Sequence, residues 1–162
     1  LRGAGKSTVG RALAHALEVP FVELDARVEE LAGLSLSAIF TLHGSEGFHR
    51  FEAEALERVL GEGERMVIAT GGSIVASPDT FARLRESCRT VWLSARPEDH
   101  LQRVAAQGDV RPMLGRPRAM EELERLLAAR TPEYARCALT VDTTGKNVAA
   151  IVREIAELAR AE

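Results

Sequence analysis

Cysteine is scarce in this chain, charge of either sign is not in excess, and no apolar run is long. Each shortage narrows the possible functions. The two cysteines, Cys88 and Cys137, stand far apart with no C-x-x-C spacing. That pattern fits two buried thiols in a reducing compartment better than a disulfide framework or a zinc site. Twenty-one Lys and Arg against 24 Asp and Glu leave a net charge of -3 and a pI near 5.9, so the chain carries no basic footprint with which to grip DNA or RNA itself. No apolar run reaches the ~18 residues that a membrane span needs, and no signal peptide precedes the first motif. These features read as a cytoplasmic protein. What is present is ordinary for one globular domain: 162 residues, 46% hydrophobic and 28% charged, enough to bury roughly 70% of the unfolded surface.

Short apolar runs alternate with amphipathic stretches, the pattern of an α/β fold with a parallel sheet flanked by helices. Strands are expected at Phe21 to Leu24, Met66 to Ala69, Thr90 to Leu93 and Leu139 to Val141. Helices are expected over Lys6 to Leu17, over Leu34 to Leu60 with a break near Gly44 and Gly47, from a Ser77-Pro78 cap to about Glu86, and from Pro97 to near Gln107. Met120, Leu123, Leu126 and Leu127 form one apolar stripe, and Val148, Ile151, Ile155 and Leu158 another; both read as core contacts. Between them QGDVRPMLGRPR, from Gln107 to Arg118, reads as a mobile surface loop.

The chain opens on LRGAGKSTVGRALAHAL. Set against G-x-x-x-x-G-K-[ST], the first glycine of the pattern falls one residue before Leu1. Gly3, Ala4, Gly5, Lys6, Ser7 and Thr8 nevertheless lead into a helix, as a phosphate-binding loop requires. Small residues let backbone N–H groups surround an anion, the helix dipole favours its charge, Lys6 adds a cation and the Ser7 hydroxyl can ligate Mg²⁺. Such a loop normally follows a buried strand. A fifth strand is therefore expected upstream of Leu1, in a longer natural protein.

From GKST onward the chain resembles the shikimate kinases. The landmarks come in order: Glu23-Leu24-Asp25; Phe48-His49-Arg50-Phe51-Glu52 for F-R-x-x-E; Gly71-Gly72-Ser73 for a triple glycine; Arg111-Pro112; and Arg130 to Tyr134 for R-x-x-x-Y. The resemblance implies a P-loop kinase fold with a five-stranded parallel sheet, ATP and Mg²⁺ at the loop, and a ring carboxylic acid bound opposite. It assigns Asp25 to hold and activate the substrate hydroxyl, Arg130 to clamp the carboxylate, and Arg111 to stabilise the transferring phosphoryl group. Lys146, in LTVDTTGK, joins the nucleotide-binding set.

Three positions depart from that pattern. His49 stands where the family has an arginine for the substrate carboxylate, and an imidazole lacks the two-pronged donor of a guanidinium. Arg50 is adjacent, but one helical step turns it about 100° away. Ser73 replaces the third glycine, adding a side chain where backbone comes close to ligand. Glu23 replaces an aspartate that helps position Mg²⁺. His49 and Ser73 lie where shikimate would be read, so the departures count against shikimate as the ligand.

A second resemblance rests on ATGGSIV, TVWLSARPEDHLQRVAAQGDVRPM and LTVDTTGK. These are similar to the shikimate-kinase-like half of benzoyl-CoA-responsive regulators of the BzdR and BoxR type, which carry an XRE-family helix-turn-helix domain. That similarity implies a sensory domain binding benzoyl-CoA through the His49, Gly71, Gly72 and Ser73 side, with DNA contacted only through an absent N-terminal domain and a homodimer as the working form. Its alternative is an active shikimate kinase. A third reading, a kinase of another small hydroxyl compound, also stays open. The expectation taken forward is the sensor.

Overall fold

The structure is a computed structural model that describes residues 4–106 and 118–160. The chain divides into two compact units, one of Gly10–Cys88 and one of Leu1–Val9 with Arg89–Glu162. Helix α1 (Lys6–Leu17) starts where the glycine loop ends. In the first unit β1 (Phe21–Glu23) lies parallel to β2 (Val67–Ala69), with Phe21 opposite Val67 and Glu23 opposite Ala69. A parallel pair needs a long crossover. It is supplied by α2 (Leu24–Ala32) and α3 (Leu36–Gly61).

The sequence reading gave no α2 and ended the first strand at Leu24. In the structure Leu24 is the first residue of that helix, and Leu24 and Val28, one helical turn apart, are fully buried. The apolar run of a short strand passes straight into a helix whose inner face carries only those two residues, too few to show a period. Gly33 ends α2 in the left-handed region, φ 63°, with its N–H on the Glu29 carbonyl. Ser35 caps α3 by accepting from the Ala38 N–H at 3.2 Å.

The expected break in the long helix falls at Gly44 alone, φ 66° and ψ -170°. Gly47 stays helical and buried, and a side chain there would run into His43 Cβ. Beyond the kink Phe48, Ala55, Leu56 and Val59 are buried along one face. A 3₁₀ turn, Ile74–Ala76, and α4 (Pro78–Ser87) complete the unit, with Ile74, Val75, Phe81 and Leu84 buried. Ser77 precedes Pro78 as expected, yet its side chain makes no capping hydrogen bond.

In the second unit β3 (Val91–Ser94) runs parallel to β4 (Leu139–Asp142), Val91 opposite Leu139 and Ser94 opposite Asp142. The ladder is extended at both ends by Leu139 N–H to the Thr90 carbonyl at 3.0 Å and Thr143 N–H to the Ser94 carbonyl at 2.8 Å. Around it lie α5 (Pro97–Ala106), α6 (Ala119–Tyr134) and α7 (Val148–Arg160). On α7 the stripe is buried at Ile151 and Ile155, with Val152 buried beside it, whereas Val148 is half-buried and Leu158 exposed. The α6 stripe departs further from the core expected for it: Met120, Leu123 and Leu127 are half-buried and Leu126 is exposed.

Among the described residues the four strands pair as two separate two-stranded ladders, so the expected five-stranded sheet is not what the pairing shows. The strand placed upstream of Leu1 lies outside the described residues, as do positions 107–117 of the expected loop. Cys88 and Cys137 are half-buried rather than buried and form no disulfide. No described helix is long and apolar enough to cross a membrane.

Candidate active site

The phosphate loop is made mostly of backbone. Gly5 has φ 81°, a left-handed conformation that a side chain would strain, and its carbonyl accepts the Val9 N–H at 2.9 Å as α1 begins. Ala4 is buried, Lys6 is half-buried, and Ser7 and Thr8 are exposed. The first turn of α1 contains no acidic residue. The positive dipole end of this helix therefore faces no carboxylate from its own first turn. A left-handed glycine followed by a helix start is the geometry that presents successive N–H groups to an anion, so the loop fits a phosphate. Gly3 lies outside the described residues.

A second cluster is made of side chains, within the Gly10–Cys88 unit. Asp25 sits in the first turn of α2. His49 and Glu52 stand three residues apart on α3, with His49 Nδ1 3.1 Å from Glu52 Oε2. Gly71 follows β2 and brings the pieces together. A Cβ on Gly71 would lie 3.1 Å from Asp25 Oδ1, 3.5 Å from Ser73 Oγ and 3.6 Å from Glu52 Oε1. Only a residue without a side chain leaves this space open.

Glu52 is completely buried, and its Oε1 has no hydrogen-bond partner. Burial pushes its carboxyl above the ordinary 4.5; the hydrogen bond and charge of His49 pull it down, and Asp25 pushes it up again. Its position was quoted in the F-R-x-x-E landmark, but Glu52 was not among the expected site residues. The signal was available: a carboxylate on the same α3 face as Phe48, Ala55, Leu56 and Val59 needs a partner or a function.

Ser73 lines the same space with its hydroxyl, 3.5 Å from the Gly71 Cβ position, without backbone strain. Its backbone is helical, φ -82° and ψ -13°, a conformation open to any residue, and it leads into the 3₁₀ turn. The close approach falls on Gly71 instead, with Gly72 half-buried between them. His49 is 22% exposed and edge-on to Phe48, whereas Arg50 is exposed, as the 100° step requires. Glu23 precedes α2 and pairs with Arg11 at 3.5 Å. Among the described residues no group of three or more His, Cys, Asp or Glu could hold a metal ion by itself.

In the second unit Arg130 is half-buried on α6, one turn before Tyr134. The Tyr134 ring stacks on Trp92 at 5.7 Å; burial raises its hydroxyl pKa, and the charge and hydrogen bond of Arg130 oppose that rise. Lys146 follows β4 and pairs with Glu154 Oε2 at 2.6 Å, beside Gly145 with φ 65°. Arg111 lies outside the described residues. Asp25, His49, Gly71 and Ser73 are thus one cluster, with Glu52 added. The loop residues, Arg130 and Lys146 take their places in the other unit.

The family model described as shikimate kinase matches residues 2–160. The chain is 43% identical over 159 residues to a shikimate kinase of Moorella thermoacetica, covering 98% of this chain and 90% of that protein. It is 41% identical over 153 residues to one of Geobacter metallireducens, covering 94% and 84%. Among solved structures, shikimate kinase from Acinetobacter baumannii in complex with shikimate matches with a TM-score of 0.85 at 29% identity, over 98% of this chain and 88% of that one. Shikimate kinase from Aquifex aeolicus gives 0.82 at 31% identity, over 97% and 90%. The P-loop α/β fold expected from GKST is therefore the fold of the chain.

The same matches overturn the sensor reading. Full-length relatives at 37–43% identity are named as kinases, and nothing ties the chain to benzoyl-CoA, aromatic catabolism or transcriptional regulation. Of the two departures that motivated that reading, Ser73 sits on unstrained backbone and His49 on a buried carboxylate partner.

Proposed function

The chain belongs to the shikimate kinase family, and we propose that it transfers the γ-phosphoryl group of ATP to a hydroxyl of shikimate. The observation that carries this reading is the opening at Gly71, where Asp25 Oδ1, Ser73 Oγ and Glu52 Oε1 surround a space in which a Cβ would sit only 3.1 Å from the Asp25 carboxylate. A carboxylate beside such a space is placed to receive the proton of an acceptor hydroxyl. A relative with the same fold is solved with shikimate bound.

In this proposal the backbone of Gly3, Ala4 and Gly5, the Lys6 ammonium and the Thr8 hydroxyl hold the nucleotide phosphates, with Lys146 on the nucleotide side. Ser7 and Glu23 would hold Mg²⁺, Glu23 exchanging its exposed partner Arg11, an ion pair worth no more than about 1 kcal/mol. When bound, MgATP supplies the phosphoryl group with much of its charge already neutralised. Asp25 takes the proton of the attacking hydroxyl, and Arg111 and Lys6 stabilise charge on the group in flight. Arg130 and His49 hold the acceptor's carboxylate, with the backbone at Gly71 and Gly72 and the Ser73 hydroxyl against its ring.

The test is ADP release from the purified protein with MgATP and shikimate. The expected turnover is that of an ordinary kinase, about 1–100 per second, with phosphorylated shikimate appearing in step with ADP. Shikimate-independent ADP release, or none, would overturn the reading.

A further inference from the structure

The pair formed by His49 and Glu52 has a property that an arginine in its place would lack. Glu52 Oε2 holds Nδ1 of the imidazole, and the ring makes no other hydrogen bond among the described residues, so Nε2 is the atom left for a ligand. What Nε2 can do depends on the protons the pair carries. With two protons, whether written as imidazolium and carboxylate or as imidazole and carboxylic acid, the ring keeps Nε2–H and the pair is neutral. With one proton, that proton sits between Nδ1 and Oε2, Nε2 presents a bare lone pair, and the pair carries a negative charge. The first form donates to an anion. The second repels one.

We propose that His49 is a specificity-determining contact for the acceptor's carboxylate, gated by the protonation of the His49–Glu52 pair. Acceptor affinity is therefore lost as pH rises while turnover at saturation is kept. This rests on the kinase reading above. Three features support it: the complete burial of Glu52, which keeps the pair together; the partial exposure of the His49 ring; and the opening at Gly71, 3.6 Å from Glu52 Oε1, which places the pair on the acceptor side.

Charged groups on neighbouring elements flank the pair. From α2, Asp25 acts on Glu52 through its negative charge, while Arg27 is engaged by Glu30 and Glu62. From α4, Arg83 is engaged by Glu57. Residues 71–73 bring no titratable side chain. On α3 itself His43 packs edge-on against Phe51 and Arg50 is exposed.

The experiment measures kcat and acceptor KM at saturating MgATP across about pH 6–9, for the wild type and for His49→Arg. In the wild type KM for shikimate should rise about tenfold or more over this range, the worth of one charged hydrogen bond, with kcat nearly level. His49→Arg, whose guanidinium keeps its charge, should have a flat KM. Parallel KM profiles in the two proteins would overturn the proposal.

Should His49→Arg not fold, the wild type is tested with shikimate and with its methyl ester. A KM rise confined to the free acid supports the gate, and an equal rise with both overturns it. Absence of turnover at every pH would defeat the kinase reading instead, and calorimetric titration with shikimate then decides the gate. Tighter binding at the acid end supports it, and pH-independent binding or none overturns it.

Discussion

The phosphate loop and the acceptor cluster are built on opposite plans. The loop is contiguous in sequence, Gly3 to Thr8, and its described part is shaped by backbone: a left-handed Gly5, a helix start and an absence of acidic residues in its first turn. The acceptor cluster gathers Asp25, His49, Glu52, Gly71 and Ser73 from three elements that only packing brings together, and it works through side-chain charge and one missing Cβ. A backbone site is written in consecutive letters and tolerates changes that keep the helix start. A side-chain site depends on distant residues, so one substitution alters its neighbours' chemistry as well as its own.

The largest effects should separate the two plans in kinetics. Asp25→Asn removes the proposed base, and kcat should fall by about 10²–10⁴ while KM for MgATP stays within a few-fold of the wild type. Lys6→Ala should lower kcat/KM for MgATP by about 10²–10³ and leave acceptor binding, read by calorimetry without nucleotide, unchanged. Steady-state kinetics in both substrates checks this. If Asp25→Asn weakened MgATP as much as it slowed turnover, the division into a nucleotide plan and an acceptor plan would fail.

A smaller effect sharpens the comparison inside the glycine stretch. The methyl group of Gly71→Ala would meet Asp25 Oδ1 at 3.1 Å, so the carboxylate must shift. Overpacking of this kind costs about 1–3 kcal/mol, read here as a fall of about tenfold or more in kcat/KM for shikimate. Ser73→Gly changes a residue whose backbone is already ordinary, and should stay within about 0.5 kcal/mol by chemical denaturation, with a smaller fall in kcat/KM for shikimate than Gly71→Ala causes. The reverse ranking would place the critical contact on Ser73.

These contrasts also mark what could be read from the chain unfolded. GKST was legible because its parts are adjacent and its mechanism is a backbone one. The departures at His49 and Ser73 were legible as letters, but their surroundings were not. Whether a serine crowds a pocket depends on where its Oγ points, and whether a histidine suits an anion depends on its other nitrogen's partner. The α2 helix escaped notice because two inward residues, Leu24 and Val28, do not make a period. Glu52 went unassigned although it breaks an apolar stripe. Its role exists only once Gly71 and Asp25, from other elements, close around it.

The smallest effect concerns stability and tests whether the cluster carries an electrostatic burden that the loop does not. Burial holds Glu52 above its ordinary 4.5, so the unfolded chain gives up this proton at a lower pH than the folded one. Below 4.5 both states hold it and the folded state pays nothing for the charge. As pH rises from 4.5 through the raised folded value, the unfolded state is favoured and stability is lost. His49 offsets part of that loss without reversing its sign. Each tenfold difference in proton affinity is worth about 1.4 kcal/mol.

Glu52→Gln keeps the shape and removes the titration. Urea midpoints at the acid and alkaline ends of this window should therefore fall with pH in the wild type more than in Glu52→Gln, so that the variant gains on the wild type as pH rises. A constant difference between the two proteins would mean that His49 neutralises Glu52 completely, and the cluster would then be as free of electrostatic strain as the loop.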